Sequence, residues 1–327
     1  MCQQLESAIT ATGWNTIDNR QSSSLSSSVL ALYCKRRFAL DDRAMSSTAG
    51  RPSKRARSET DGQKPSKLME YLGKSQFRQA YERATRQPKE VAETVLDVSP
   101  LALACRNGAP LELVQLLLVG DPSLLRSNLG SRGTPLHEAV VCEQAGPNVI
   151  QALLQADEAL GADSQRATLL QDVDGFTPLH LLIRRRFQAH ILGAAESGFM
   201  AILEALVRSC PESVTVPDRG EYEEPPIVYA LKANIYSPGL RADDAVIVQI
   251  ERQIYTMVEI MLRHAPVAAA KVFSGFRGDY SALHSAVFHG RYTTTVNLLL
   301  RTEENFPSLP CVSMHTNTQR ELPLHFW

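Results

Sequence analysis

The feature that most constrains the fold of this chain is self-similarity. The string RGTPLHEAV at residues 132 to 140 recurs as GFTPLHLLI at 175 to 183, with weaker echoes in YSALHSAV (280 to 287) and LPLHF (322 to 326). A segment that returns with its surroundings belongs to a repeated structural unit, so its histidines are read first as scaffold. Laid out on the first residue of each unit, the starts are Pro100, Pro135, Pro178, Pro226, Ala282 and Pro323, at spacings of 35, 43, 48, 56 and 41 residues. After most starts comes a short apolar helix, a Gly, Pro or longer break, and a second, Leu-rich helix such as LELVQLLL (111 to 118). One such hairpin cannot enclose its own apolar side. Stacking on its neighbours closes the core.

These residues carry a resemblance to the ankyrin repeat family: the motif T-P-L-H-x-A at 134 to 139, less fully at 177 to 182, followed by a hydrophobic second helix. The resemblance covers roughly residues 68 to 327 and implies an all-α solenoid of helical hairpins with short β-hairpin or loop tips. The spacings exceed the family's typical value of about 33 residues. The additional residues are expected in loops, including 184 to 198 and 234 to 245, and the motif is eroded in units one, four and six. The organisation read here is a disordered tail over residues 1–66 and a repeat domain over 67–327. The repeat domain comprises an N-terminal helical pair, about five full repeats and a sixth of which only a few residues, ending in Trp327, are present.

Local chemistry accounts for the recurring histidine. Thr134 suits an N-cap, and Pro135 suits the first helical position, where its missing N–H costs nothing; Thr177 and Pro178 repeat that grammar. His137 and His180 then fall where an imidazole can hydrogen-bond back across the cap, and Leu136 and Leu179 point inward. Leu283 and His284 are the counterparts in the fifth unit. The resemblance implies that such a histidine ties neighbouring turns together. Ala102 and Val228 replace it in two units, as suits a redundant scaffold group.

Composition sharpens the boundary of the tail. Residues 1 to 67 hold 11 Lys and Arg against 6 Asp and Glu, a net of +5, which leaves −6 on the remainder of a chain of net charge −1. The Ser-rich runs at 21 to 30 and 45 to 67 contain too few large apolar residues to offset ordering entropy. From Leu68 onward the pattern turns periodic, with Leu68, Met69, Leu72, Phe77, Ala80, Tyr81 and Ala84 spaced like one face of a helix pair. Six cysteines, at 2, 34, 105, 142, 210 and 311, form no C-x-x-C pair. No secretory leader or long apolar run is present, so a reducing compartment, nucleus or cytoplasm, and no membrane contact are expected.

The sequence contains no metalloprotease, nucleophile-elbow, Walker or dinucleotide motif, and DVDG (172 to 175) lacks the ligands of a calcium loop. No enzyme, metal or cofactor is expected. The expected function is a non-catalytic scaffold or adaptor that binds a partner protein on the concave face of the stack. The candidate partner-binding residues are Arg132, Asp174, Phe176, Arg184, Arg185, Tyr222, Phe276 and Tyr280, since aromatic and arginine residues dominate interface energetics. Some of the aromatic positions are equally open to a core role. The RRR run at 184 to 186 reads either as a solvated helix end facing the macrodipole or as a contact for an acidic partner. In the tail, PSKRAR (52 to 57) reads as a short nuclear-localisation signal on Lys54, Arg55 and Arg57. The alternative function is a nuclear regulator associated weakly with nucleic acid through that tail.

Overall fold

A computed structural model of the chain describes residues 65–95, 98–127, 133–161, 166–189, 196–220, 223–232, 244–275, 278–291, 293–305 and 323. All belong to one compact unit, Glu59–Ala189 with Gly193–Trp327. The Ser-rich tail, the basic run at Lys54, Arg55 and Arg57, and the candidates Arg132, Tyr222 and Phe276 lie outside the described residues.

The helices alternate between two layers because each hairpin exposes one apolar face per helix. The first helices are α1 (Lys67–Gly73), α3 (Pro100–Arg106), α5 (Pro135–Val141), α7 (Pro178–Ala189), α9 (Pro226–Leu231) and α12 (Ala282–Phe288). The second helices are α2 (Phe77–Arg86), α4 (Leu111–Gly120), α6 (Pro147–Ala159), α8 (Glu196–Ser209), α10 (Asp244–His264) and α13 (Thr293–Asn305), and a short α11 (Val267–Ala270) follows α10. Each first helix packs on the next first helix and each second helix on the next second helix, with α1 and α2 joining the stack as a sixth hairpin. The core is the seam between layers. Leu101, Leu136, Leu179, Ile227 and Leu283 line it from the first helices, and Leu117, Ile150, Leu203, Met257 and Leu299 from the second.

Burial explains why so much of the chain follows the 3.6-residue period. Removing about 25 cal/mol of unfavourable hydration per Å² makes each Leu-rich stripe worth several kcal/mol once covered, whereas a lone seven-residue helix would not persist in water. Helix α2 is the outermost second helix among the described residues. It buries only Ala80 and Ala84 and turns Arg78, Glu82 and Arg86 to solvent, while Tyr81, expected on the inner face, is exposed. The buried Glu90 carboxylate accepts from the Leu68 amide at 3.0 Å and from Arg83, fastening α1 and α2 together.

One expectation requires correction. The segment 184–198, expected as loop, is helical at both ends: α7 runs on to Ala189 and α8 begins at Glu196. The reason is that Arg, Gln and Ala sustain a helix once it is nucleated. In the fifth repeat, Val296 and Leu299 are 5% and 2% exposed, because α13 packs against α10, α11 and α12. Among the described residues the one strand pair is β1 (Val272–Gly275) with β2 (Gly278–Ser281), antiparallel, pairing Phe273 with Tyr280. The other described tips are loops.

Candidate functional site

Three side chains of each TPLH segment build its first turn. Thr134 and Ser281 are the N-caps of α5 and α12, in extended backbone, with Pro135 and Ala282 at the first helical position; Thr177 precedes Pro178 in the same way. The Thr134 backbone N–H donates to His137 Nδ1 at 3.0 Å, with the Thr134 hydroxyl 2.8 Å from the same nitrogen. An accepting Nδ1 leaves the ring proton on Nε2. That atom donates to the Phe176 carbonyl, 3.0 Å away at the tip of the next repeat. His180 does the same with Thr177 and with the Glu224 carbonyl, at 3.2 and 2.9 Å. In the fifth repeat Ser281 N–H donates to His284 Nδ1 at 3.2 Å.

Every member of this set is buried: Thr134, Pro135, Leu136 and His137, then Thr177, Pro178, Leu179 and His180, then Leu283 and His284. Burial drives both His137 and His180 down from an ordinary pKa near 6.5 to about 4, because an imidazolium there would lose its hydration. They are neutral at pH 7, closed to solvent, and used up by backbone hydrogen bonds. A general base or a metal ligand needs a free nitrogen, and neither ring offers one.

The tips are organised by carboxylates that sequence reasoning passed over. Asp172 accepts the Phe176 and Asp174 amides at 2.8 and 3.0 Å, and burial raises its pKa. Asp218 accepts the Glu224 amide at 3.0 Å and the Tyr229 hydroxyl at 2.5 Å. Between these tips Gly175 sits at φ +86°, and a Cβ built there would lie 2.5 Å from the Arg219 backbone nitrogen. Only glycine permits both that dihedral and that approach.

The candidate partner-binding residues divide on exposure. Phe176 is a correction: at 9% exposed it is core, packed edge-on to Tyr229 and tilted against His180, with centroids 6.1 and 6.0 Å apart. Tyr280 is half-buried against Phe273. Arg185 is a second correction. It donates to the Val140 and Cys142 carbonyls at 2.8 and 3.0 Å, satisfying the end of the preceding first helix instead of waiting for a partner. Asp174 is exposed at its tip, and Arg184 is exposed with its guanidinium 5.3 Å from the Phe176 ring centroid.

Arg184 belongs to a column. It is the sixth residue after its unit's start, and the same place in the other repeats holds Arg106, Val141, Lys232 and Phe288. Arg106 and Lys232 are engaged, by Glu138 at 2.5 Å and by Glu224. Val141 and Phe288 are 48% and 53% exposed, although both are apolar. The sequence contains a signal for them, missed in the motif reading: a valine and a phenylalanine at a position filled by Arg or Lys in the other three repeats.

Other chemistry is sparse among the described residues. Cys105 and Cys210 are buried, and burial raises both thiols away from the reactive thiolate. No group of three metal-ligating side chains converges there, and no described helix is long and apolar enough to cross a membrane.

No family model matches the sequence and no curated protein matches it. Solved structures do. The ankyrin repeat domain of Bcl-3, a unique member of the IkappaB protein family, is similar at a TM-score of 0.54 and 20% identity, over 81% of this chain and 94% of that one. The human ASB11 ankyrin repeat domain gives 0.46 and 17%, over 80% and 91%. A structure of Bd0816, a predatory endopeptidase from Bdellovibrio bacteriovorus, in complex with immunity protein Bd3460 gives 0.43 and 14%, over 69% and 89%. Likeness at these identities bears on fold alone, and the fold argument rests on the first.

Proposed function

With the ankyrin-repeat fold of this chain as premise, we propose that it is a non-catalytic interaction module that binds a partner protein on the first-helix side of the stack. The binding surface is the concave side, made of the tips and the ends of the first helices. Val141, Arg184 and Phe288 are its contact residues, with Asp174 at the neighbouring tip. One observation carries this reading: the sixth-residue column keeps Val141 and Phe288 about half exposed although both are apolar, Phe288 meeting the His289 ring edge-on at 5.1 Å. Exposed apolar side chains beside an arginine are the composition of an interface centre.

The test is affinity purification with the full chain, comparing wild type with Arg184→Glu/Phe288→Ala. The expected result is at least tenfold less retention of the captured protein at unchanged melting temperature. Equal retention by both forms would contradict the assignment of the column. Nuclear import through Lys54, Arg55 and Arg57 is proposed alongside, and rests on the sequence of that segment. A reporter carrying residues 45 to 67 should enter the nucleus, and its triple alanine variant should stay outside. Equal distribution of the two reporters would contradict the import signal.

A further inference from the structure

The second-helix layer carries a groove that the first-helix column does not explain. It lies between α10 and α13 and has a volume of about 550 Å³. Val248, Arg252 and Tyr255 line it from α10, and Thr294, Leu298 and Arg301 from α13. On each wall the residues follow one another at i, i+4 and i+7, so each wall is a single helical stripe about 10 Å long, close to two turns. Two parallel stripes of that length form the groove into which a third helix lays its own i, i+3, i+4 ridge.

Charge says what kind of helix. Glu251 is the one carboxylate in the lining, and it is already matched: Arg291 reaches it at 2.8 Å, with both side chains 1% exposed. Arg252 and Arg301 are exposed on opposite walls, and among the described residues neither enters an ion pair. Among the described residues the groove therefore presents two unmatched cations beside Val248, Tyr255 and Leu298, with Thr294 and Asn297 as its neutral polar lining. Val248 is 53% exposed, an apolar side chain left in water where nothing in the stack requires it. A nucleic-acid backbone would ask for a longer run of cations and no apolar strip.

We infer that the α10–α13 groove is a second docking surface, which takes an acidic amphipathic helix from a partner protein. Its apolar face seats on Val248, Tyr255 and Leu298, and its carboxylates meet Arg252 and Arg301. The inference does not draw on the first-helix column: the groove is lined by residues of α10 and α13 alone.

A library of helix-forming peptides of about 16 residues, displayed on phage, is selected on the full chain and counter-selected on Arg252→Glu/Arg301→Glu. Enriched sequences should carry Leu, Ile or Phe with Glu or Asp at i, i+3 or i+4. As labelled peptides they should lose at least tenfold in Kd on the double reversal and keep their affinity for Arg184→Glu/Phe288→Ala. Replacing their Glu by Lys should restore binding to the reversed groove. Should the reversal impair folding, Arg252→Gln/Arg301→Gln provides the same comparison with a smaller expected loss. No enrichment, enrichment of sequences without acidic residues, or binding indifferent to either arginine variant would overturn the inference. A labelled DNA duplex bound more tightly than any peptide, and released by the same reversal, would overturn it in favour of nucleic acid.

Discussion

His137 and His180 each have both ring nitrogens committed, one to the turn below and one to the tip of the next repeat. Replacing His137 with Ala strands the Phe176 carbonyl and the Thr134 amide, at a cost of about 1–3 kcal/mol, read as a lower urea midpoint. The imidazoles also make stability depend on pH. Their folded pKa values of about 4 lie below the ordinary 6.5, so the unfolded chain binds protons first on acidification. Their contribution is fully present above pH 6.5 and is lost as the pH falls towards 4, at up to about 1.4 kcal/mol per unit per histidine. Denaturation midpoints between pH 7.5 and 4.5 should show that slope, and His137→Ala/His180→Ala should flatten it; an equal slope in both proteins would contradict the assignment. Gly175→Ala should destabilise by more than about 1 kcal/mol, since it adds both a strained dihedral and a clash with the next tip. The local half of this chemistry was legible, because cap, proline and histidine fall within four consecutive residues. The other half was not: the Nε2 acceptors lie 39 and 44 residues on. Phe176 was misassigned for the same reason, since the rings that bury it come partly from the next repeat.

At the scale of helices, neighbouring repeats are joined by ion pairs that cross from one hairpin to the next. Arg106 meets Glu138, Arg126 meets Asp157 at 2.6 Å, and Arg291 meets Glu251. The last pair is the most buried. Arg291→Met leaves the Glu251 charge without that partner and should cost about 3–5 kcal/mol, whereas Arg291→Met/Glu251→Leu should recover most of it, because a matched apolar pair avoids the desolvation penalty. Chemical denaturation of the three proteins checks this, and a double variant no more stable than the single one would contradict it. Hydrogen exchange should place the single variant's loosening in α10 and α13. None of these pairs was visible in the sequence: the partners stand 31 to 40 residues apart, and charged residues are common at helix ends. Helix existence was legible from the Leu-rich period; the length of α7 was not, because RRRFQA reads equally as a helix end or a loop.

Over the whole molecule, the repeat starts located the five first helices from α3 onward, and the apolar period at Leu68 to Ala84 located the hairpin that precedes them. What the pattern did not reveal is which surfaces remain unspent after stacking, because that depends on where each side chain falls relative to two neighbouring repeats. Val141 and Phe288 are as apolar as any core residue, and only their position after packing sets them on the column with Arg184. The proposed contact of this column with a partner protein can be read directly. The most direct measurement places a photo-crosslinking amino acid at Val141, Arg184 or Phe288, and in control proteins at Glu82 or Arg86 on the outer face of α2, and compares the adducts formed in cells. The same protein adduct is expected at all three column positions and none at the controls. Adducts spread equally over column and controls, or none at the column, would contradict it.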